Sequence, residues 1–406
     1  MPDIYLSASE ATQRLGISTA TLYAYVSRGL IESRPGAQPR SRLYRVQDIE
    51  RLIARKRAGR GAARGAAQSL DRGLPVMETA ISQIRPDGPS YRGHSAVVLA
   101  NDGATLEDAA RILWNCGDVD PFVPLPPAWP VIAAALANDT ALPPLERALA
   151  TMPLLALASP HSFSAAPQVR RETAALLLRQ NTALLAGVAA SNAPVHEVLA
   201  RRWKPRHPAF ADLLRMALVL CAEHELNVSA FAARVVASTG AHLHATICAG
   251  LSALTGPRHG GATARAFAFI QQAREATDIA AFVSERWRRG DEFPGFGHAL
   301  YPHGDPRGAA LLARIEGMGK RPAALDTVLA LAEQVEHLTG QHPNIDLMLA
   351  AIIEGHGLDV GNALALFAAG RVAGWLAHAL EQQSQSGLIR PRARYVGAEA
   401  VQTTAP

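Results

Sequence analysis

The stretch "FPGFGHALYPHGDPR", residues 293–307, concentrates polar chemistry in a chain otherwise rich in alanine and leucine. Glycine and proline recur through it, and both residues interrupt helices. An imidazole can transfer a proton near neutral pH, and a guanidinium can bind a carboxylate through two parallel hydrogen bonds. His298, His303 and Arg307 are therefore candidate site residues on an irregular loop.

Polar side chains of the same kinds recur at several other places, in glycine- or proline-shaped turns or in apolar helices. Taken singly, such residues are more often structural: a lone histidine is satisfied in the core, Asp346 caps a helix, Arg371 forms a buried ion pair, and "RPRAR" is a solvated tail. Together they indicate a functional site. The candidates are His224 in "AEHELNV", His259 in "GPRHGGA", His298, Arg307, Asp346 in "HPNIDLM", Arg371 in "AAGRVAGW" and Arg390 in "LIRPRARY".

Helices must position these residues, because the long apolar segments have helical spacing. Residues 211–226 place leucines along one stripe, and segments 326–338 and 361–382 repeat the pattern. No segment of the body alternates as a strand would, and "PFVPLPPAWP" (121–130) is too rich in proline to be helical throughout. Hydrophobic residues make up 49% of the chain and aromatic residues 5%. We therefore expect an all-α body.

Length and composition narrow the class of protein. The 406 residues suffice for two or three domains. No run of about 18 uncharged apolar residues occurs, so we expect no transmembrane helix and no membrane partner. "MPDIYLSASE" lacks the regions of a signal peptide. Cys116, Cys221 and Cys248 form no CxxC pair, so we expect free thiols in a reducing cytoplasm and no metal site.

Positive charge is concentrated at the amino-terminal end. Residues 1–65 carry twelve of the 40 Lys and Arg residues and five of the 35 Asp and Glu residues, a net charge of +7, and the remainder is at −2. Such an asymmetry is typical of a nucleic-acid-binding module attached to a near-neutral body.

The basic end has the pattern of three short helices and a wing. Ser7 and Glu10 have the spacing of a capping box, which predicts a helix starting near Ala8. Ser18 can cap a second helix, "TATLYAYVSRGL", which Gly29 ends. "ESRPGAQPRSRLYR" has the composition of an exposed basic hairpin, and "VQDIERLIARKR" has the spacing of a third helix.

These parts, in this order, resemble the winged helix-turn-helix of the MerR family. The resemblance implies a DNA-binding domain over residues 1–57, followed by a linker over residues 58–70. In that family the second helix enters the major groove and the wing touches phosphate. A small helical adaptor that binds protein, or a relic without a ligand, are the alternatives. Carried over, the resemblance assigns Thr19, Thr21, Tyr25 and Arg28 to double-stranded DNA and Arg40, Arg42 and Arg45 to its backbone.

The candidate residues of the body, with their flanking sequences, resemble citrate synthase. The matching pieces stand in the family's order over residues 71–397 and include "GPRHGGA", "PGFGHALYPHGDPR", "PNIDLMLAAI" and "LIRPRARYVG". The resemblance implies an all-α fold with a large domain, residues 71–224 and 331–406, and a small domain, residues 225–330. It is weak over residues 117–205.

The family condenses acetyl-CoA with oxaloacetate and hydrolyses the product to citrate and CoA. The resemblance makes Asp346 the base that deprotonates the thioester methyl group. It gives His259 the thioester oxygen and His298 the oxaloacetate ketone. No permanently bound cofactor is implied. The residues matched to oxaloacetate binding are His224, Arg307, Arg371 and Arg390, the last supplied by the other subunit of a homodimer.

Several positions depart from the family's pattern and leave the acyl group open. Arg258 stands where leucine is usual, Ala299 follows His298 where many members have arginine, and Leu347 replaces the aromatic residue after Asp346. Gln341 and His342 occupy a region where lysine is frequent. Three readings remain: a synthase using acetyl-CoA, a 2-methylcitrate synthase using propionyl-CoA, and a transcriptional regulator that senses a metabolite with this fold.

Overall fold

The structure, a computed structural model, describes residues 5–15, 19–27, 31–36, 42–46, 48–49, 77–124, 129–385, 387–391, 393 and 395–397. The chain divides into two compact units, Met1–Glu78 and Thr79–Pro406. Each unit has a hydrophobic core of its own. The linker expected at residues 58–70 lies outside the described residues.

The amino-terminal unit combines helices α1 (Ala8–Leu15) and α2 (Thr19–Ser27) with a three-stranded antiparallel sheet in the order β1-β3-β2. The strands are β1 (Tyr5–Ser7), β2 (Ser33–Pro35) and β3 (Arg42–Arg45). Strands β2 and β3 pair as the predicted wing, with Arg34 opposite Leu43. The core of the unit is formed by Ala11, Leu15, Leu22, Ile31, Tyr44 and Ile49.

The predicted capping box opens α1. The Ser7 amide donates to Glu10 Oε2 at 2.8 Å, and the Glu10 amide donates to Ser7 Oγ at 3.4 Å. Two amide groups that the helix leaves free are thereby satisfied. The third predicted helix lies mostly outside the described residues, but its Ile49 is fully buried in the core of the unit.

The body is built of helices, as predicted from its composition and apolar spacing. Among its described residues, fifteen helices surround one continuous core. They are α3 (Ala96–Asn101), α4 (Leu106–Leu113), α5 (Val131–Ala137), α6 (Pro144–Leu157), α7 (Pro167–Ala186), α8 (Val195–Trp203), α9 (Pro208–Cys221), α10 (Val228–Ser238), α11 (Leu243–Leu254), α12 (Gly261–Glu275), α13 (Ile279–Arg289), α14 (Pro306–Glu316), α15 (Ala323–Thr339), α16 (Ile345–Gly355) and α17 (Gly361–Ser384).

The body also contains a small antiparallel sheet, so the expectation that it has no strand was wrong. Strands β4 (Ser82–Arg85), β5 (Gly88–Tyr91) and β6 (His94–Ser95) form a meander. The turn "PDG" between β4 and β5 signals a hairpin, but β5 is buried on both faces and therefore shows no alternation. The sheet docks on α9 through the Tyr91 hydroxyl, which donates to the Val219 carbonyl at 2.8 Å.

Helix α17 runs through the middle of the body and packs against α7, α9, α10 and α11. By length and apolar composition it is the one helix in the described part of the chain that could cross a membrane, yet 89% of its apolar window is buried inside the body. Its residues therefore belong to the core of this fold.

Glycine makes the close packing of α17 possible. A Cβ atom on Gly374 would lie 2.1 Å from Glu223 Oε2 and 2.5 Å from the Ala222 carbonyl oxygen. A Cβ on Gly250 of α11 would lie 2.5 Å from the Trp375 ring. Both distances are shorter than real Cβ contacts, so the end of α9 and helix α11 approach α17 only because glycine stands at these positions.

Candidate active site

Six of the seven candidate residues of the body line a single cavity of about 200 Å³, called the main cavity below. They come from different parts of the chain: the turn after α9, the starts of α12, α14 and α16, the loop before α14, and the middle of α17. Sequence reasoning therefore selected residues that the fold brings together. They are His224, His259, His298, Arg307, Asp346 and Arg371.

The loop that carries His298 is joined to the segment before α16. The Gly297 amide donates to the His342 carbonyl and the Asn344 amide to the Gly295 carbonyl, both at 2.9 Å. Gly295 and Gly297 have φ of +87° and +70°, which favour glycine. A Cβ atom on Gly295 would also lie 2.7 Å from Leu347 Cβ. These turns place His298 and Asp346 on two strands of backbone that are held side by side.

Asp346 lies in the first turn of α16 with its carboxylate uncommitted. The cap of this helix is Asn344, whose Oδ1 accepts the amides of Asp346 (3.0 Å) and Leu347 (3.3 Å). The alternative that Asp346 itself is only the cap is thereby wrong. No hydrogen bond or ion pair joins the Asp346 carboxylate to the residues described. Burial raises the pKa of Asp346 to about 6, although Arg307 and Arg371 oppose the rise.

Arg307 is oriented by Asp305, a residue that sequence reasoning passed over. Asp305 Oδ1 accepts Arg307 Nε and Oδ2 accepts Arg307 Nη2, each at 2.9 Å. Arg307 is 2% exposed and Asp305 1%. The sequence did hold a signal, because an aspartate before Pro306 has the pattern of a helix cap. The cap is present, with Arg307 N donating to Asp305 Oδ1 at 3.1 Å.

The hydrogen bonds of His298 assign its tautomer. The Leu300 amide donates to His298 Nδ1 at 3.1 Å, so in the neutral ring the proton is on Nε2. Burial and the nearby Arg307 lower the pKa of His298, which favours this neutral form. Nε2 lies 3.4 Å from Arg307 Nη2. Two donors therefore face each other at the cavity, and an oxygen acceptor of a ligand would satisfy both.

Arg371 carries a buried charge with unused donors. The residue is 1% exposed, and its Nε and Nη1 have no hydrogen-bond partner among the described residues. The ring of Phe367 lies 4.9 Å from the guanidinium carbon. Because buried polar groups are normally paired, these orphaned donors indicate that the main cavity accepts an anion.

His259 stands before α12 and bonds to Ser229, a second residue that was missed. His259 Nε2 lies 2.9 Å from Ser229 Oγ, which also accepts Trp375 Nε1 at 3.1 Å. Burial lowers the pKa of His259 to about 4, so its imidazole is neutral at pH 7. The glycine after it is required by space, because a Cβ on Gly260 would lie 1.8 Å from the Leu254 carbonyl oxygen.

His224 completes the cavity from the turn after α9. Its Nε2 bonds to the Tyr301 hydroxyl at 3.0 Å, and its ring packs edge-on against His298 with centroids 5.4 Å apart. Burial, with Arg307 and Arg371 nearby, strongly lowers the pKa of His224. Tyr301, buried at 3% exposure, is a third missed residue. His303, the other histidine of the loop, is exposed and does not line the main cavity.

Two family models match the chain. One described as "Citrate synthase, C-terminal domain" matches residues 69–392, and one described as "Helix-turn-helix domain" matches residues 5–57. The chain belongs to the citrate synthase family. Both resemblances drawn from the motifs are thereby confirmed at the level of the family and of the helix-turn-helix domain.

Curated citrate synthases and 2-methylcitrate synthases are both among the relatives. The chain is 35% identical over 191 residues to the citrate synthase of Haloferax volcanii, covering 46% of this chain and 50% of that protein. It is 33% identical over 189 residues to the 2-methylcitrate synthase of Shewanella oneidensis, covering 46% and 50%. The chain thus spans about half the length of the curated relatives it matches.

Solved citrate synthase structures share the fold over most of the body. That of Thermotoga maritima covers 82% of this chain and 97% of its own, with a TM-score of 0.64 and 25% identity. A ternary complex of the Thermoplasma acidophilum enzyme with carboxymethyl coenzyme A and oxaloacetate gives a TM-score of 0.68 at 24% identity, over the same shares of the two chains.

A second cavity, of about 210 Å³, shares Asp346 with the lining of the main cavity. It is also lined by Arg265, Phe293, Gly295 and Phe296. A carboxylate that borders two spaces can serve two substrates, one in each. Among the described residues, no group of three or more His, Cys, Asp or Glu side chains could hold a metal ion.

Arg390 is the candidate that lies away from the main cavity of its own chain. Its side chain is exposed, and Arg390 is not among the residues that line the main cavity. Its segment is held by the neighbouring Ile389, whose amide donates to Ser238 Oγ at 3.1 Å. Arg392 and Arg394 lie outside the described residues. Entry of Arg390 into a partner's site, as in the citrate synthase family, stays a prediction.

The candidate DNA-contacting residues of the amino-terminal unit differ in their surroundings. Thr19 and Arg42 are exposed, whereas Tyr25 packs against the core of the unit. Arg45 pairs with Glu32 at 3.1 Å, which commits part of its charge. Tyr23, which sequence reasoning passed over, is 55% exposed. Arg28, Arg40 and the side chain of Thr21 lie outside the described residues.

Proposed function

We propose that this chain condenses oxaloacetate with a short acyl-CoA, acetyl-CoA first, and hydrolyses the product to citrate and CoA. The observation that carries the proposal is the buried guanidinium of Arg371, unpaired among the described residues, in the same cavity as the uncommitted Asp346 carboxylate. The cation suits a small dianion and the carboxylate suits proton abstraction.

Asp346 would take a proton from the methyl group of the thioester. A base works best when its pKa lies near the working pH, and burial raises that of Asp346 to about 6. His259 would steady the enol oxygen. In this structure the Ser229 hydroxyl donates to Asn227 Oδ1 at 2.9 Å, so Ser229 Oγ accepts from His259 Nε2. Donation from His259 Nδ1 to the thioester oxygen would require Ser229 to turn its proton from Asn227 to Nε2.

Oxaloacetate would lie in the main cavity between Arg307, Arg371 and His298. Arg307 and Arg371 bind its carboxylates, and His298 Nε2–H polarises the ketone. The enol carbon attacks the ketone carbon, the new alkoxide takes the His298 proton, and water then cleaves the thioester to release CoA. The attacking water returns a proton to His298, and the proton held by Asp346 goes to the departing thiolate, so both side chains are reset without a permanently bound cofactor.

Two features of the assembly belong to this proposal. A homodimer would bring Arg390 of each subunit to the other's cavity; its exposure and its absence from the lining of its own main cavity support this. Closure of a small domain, residues 225–330, onto the large one would exclude water, since His259 and His298 lie within these limits and Asp346 and Arg371 outside them. We place the enzyme in the cytoplasm.

The test is release of CoA thiol in the presence of oxaloacetate, with acetyl-CoA and propionyl-CoA in parallel. The parent chain should release thiol with at least one of them, and Asp346→Ala should not. His303→Ala, which changes an exposed histidine of the same loop, serves as the matched control. Absence of thiol release from both substrates, or an Asp346→Ala variant as active as the parent, would show that the enzymatic proposal is wrong.

A 2-methylcitrate synthase is the second candidate, favoured by one position beside Asp346. Leu347, fully buried against Gly295, is smaller than the aromatic residue that the family usually has there. One methylene changes selectivity by only about 1–3 kcal/mol, so the ratio of kcat/KM for the two thioesters decides the question.

A further inference from the structure

We propose that Asp305 is a positioning residue of this site, whose single buried carboxylate fixes both the guanidinium of Arg307 and the first turn of α16. This proposal rests on the proposed function, in which Arg307 binds the substrate and Asp346 abstracts a proton. No role for Asp305 follows from the resemblance or from the comparisons.

The Asp305 carboxylate is saturated by four donors from two elements. Oδ1 accepts the Arg307 Nε at 2.9 Å and the Arg307 amide at 3.1 Å. Oδ2 accepts Arg307 Nη2 at 2.9 Å and the Ile345 amide at 3.0 Å. A carboxylate offers about four acceptor positions, so none remains for water or substrate. One side of the guanidinium is thereby locked, and the rest of it can meet a ligand.

The bond to Ile345 extends this control to the base. Ile345 is the first residue of α16, whose first amides have no partner within the helix. Asn344 accepts the next two amides, those of Asp346 and Leu347, at 3.0 and 3.3 Å. Asp305 and Asn344 together fix the helical turn from which the Asp346 side chain projects. Substrate arginine and base thus share one anchor.

Asp305 also acts on Asp346 through its charge. Of the charged groups around Asp346, Asp305 raises its pKa, while Arg307, Arg371 and Arg265 lower it; burial is the largest cause. Removing the charge of Asp305 takes away one cause that raises the pKa of Asp346. It also leaves the positive charge of Arg307 less neutralised. Both changes lower the pKa of Asp346, so the base stays ionised to lower pH.

Three variants separate positioning from a merely structural ion pair. Asp305→Asn removes the charge, and Asp305→Glu keeps the charge but moves it by one methylene. Asp120→Asn is the matched control, because Asp120 grips Arg111 in the same fork, with Oδ1–Nε at 3.0 Å and Oδ2–Nη2 at 3.1 Å, and Asp120 lines neither cavity.

Oxaloacetate binding is measured by calorimetry, and unfolding by heat. The acid limb of kcat is measured with the active acyl-CoA. The infrared band of the protonated Asp346 carboxyl, isolated by subtracting the Asp346→Asn spectrum, is titrated without turnover. We expect Asp305→Asn to lose about 100-fold in oxaloacetate affinity and to shift both titrations to lower pH. Asp305→Glu should lose affinity with the titrations unmoved, and Asp120→Asn should change neither.

If Asp305→Asn matches Asp120→Asn in affinity and in titration, the proposal is overturned. Should Asp305→Asn not fold, Asp305→Glu decides, because parental oxaloacetate affinity in that variant overturns it as well. Binding and infrared titration do not need turnover. A parent chain that binds oxaloacetate without releasing CoA would therefore sink the proposed reaction while the test of Asp305 still stands.

Discussion

At the scale of single residues, Arg371 has a cost and a use. A buried charge without a partner destabilises a fold by several kcal/mol, and its Nε and Nη1 have none within the described chain. Selection for stability alone would remove such a residue. Its presence is explained when a bound dianion supplies the missing acceptors, as the proposed function requires.

Arg371→Met tests this explanation. We expect the variant to unfold at a higher temperature, with a gain of about 1–3 kcal/mol, because methionine fills the space without a charge. Oxaloacetate binding should fall below detection by calorimetry. Arg147→Met is the contrast, since the buried Arg147 donates to the carbonyls of Leu184, Leu185, Asp139 and Leu142. That variant should lose about 2 kcal/mol or more. A destabilised Arg371→Met would contradict the explanation.

Asp346 gives a prediction with a pH dependence. Its pKa of about 6 in the fold lies above the unfolded value of about 3.9, so ionisation is unfavourable in the native state. The penalty is absent below about pH 4, grows as pH rises and is complete above the folded pKa. Asp346→Asn should therefore raise the free energy of unfolding by roughly 1–3 kcal/mol at pH 8 and by nearly nothing at pH 4.

Denaturant unfolding at the two pH values measures this difference, with His303→Ala as a control that should show no such dependence. In the parent enzyme the acid limb of kcat should fall near pH 6, since a protonated Asp346 cannot accept a proton. Equal stability of parent and Asp346→Asn at both pH values would mean that Asp346 is not held in an unfavourable ionised state.

Sequence reasoning found six residues that the fold gathers at the main cavity and missed several that bond to them. His224, His259, His298 and Asp346 stand in short motifs whose flanking residues identify them. Ser229 and Tyr301 are small or aromatic residues in ordinary contexts, and their roles arise from contacts 30 and 77 residues away in the chain. Such contacts exist only after folding, so no local pattern announces them.

At the scale of elements, α17 joins the core to the site. Gly374 lets the end of α9 approach it, and Arg371 lies one turn earlier. We expect Gly374→Ala to cost about 1–3 kcal/mol, since the added Cβ would overlap Glu223 Oε2 and the Ala222 carbonyl. The loss should appear despite the better helix propensity of alanine. Thermal unfolding measures it.

Gly319→Ala is the matched control, because a Cβ there meets no atom within 4 Å. Oxaloacetate affinity should fall in Gly374→Ala and stay at the parental value in Gly319→Ala, since Arg371 shares the disturbed helix. A Gly374→Ala variant as stable as the parent would show that the helices can separate without loss.

Elements were predictable where their pattern was long or their signals were paired. Helices α9, α15 and α17 followed from apolar spacing, and the amino-terminal hairpin followed from glycine and proline between basic residues. The sheet of β4, β5 and β6 did not, because β5 is buried on both faces and the other two strands, of four and two residues, are too short to show a pattern. Its "PDG" turn was the available signal.

At the scale of the whole molecule, the proposed exchange of Arg390 between subunits can be tested by mixing two inactive variants. Arg390→Ala removes the arginine that would enter the partner's cavity, and Arg371→Met removes the arginine that lines the chain's own cavity. In a mixed dimer one site receives an intact Arg390 and keeps its own Arg371. Equal co-expression should therefore restore about a quarter of the parental activity. If Arg390 serves its own chain, the mixture stays inactive.

The charge asymmetry gives a prediction for the amino-terminal unit. We expect the full chain to bind duplex DNA from upstream of its own coding region more tightly than random duplex, with affinity falling steeply as salt rises. A chain starting at residue 71 should lose DNA binding and keep CoA release. Gel-shift titration against both duplexes measures this, and equal affinity for the two would count against a regulatory role.

Hydrogen bonds join the start of the body to the end of α17. Glu381 accepts the Ala80 amide and the Thr79 hydroxyl, both at 2.8 Å, across about three hundred residues of sequence. On the ribosome, these bonds can form only after Glu381 has emerged. The amino-terminal unit closes its core within the first 49 residues. During synthesis the basic amino-terminal unit would therefore fold before the body is complete, with the helix-turn-helix formed before the residues of the main cavity come together.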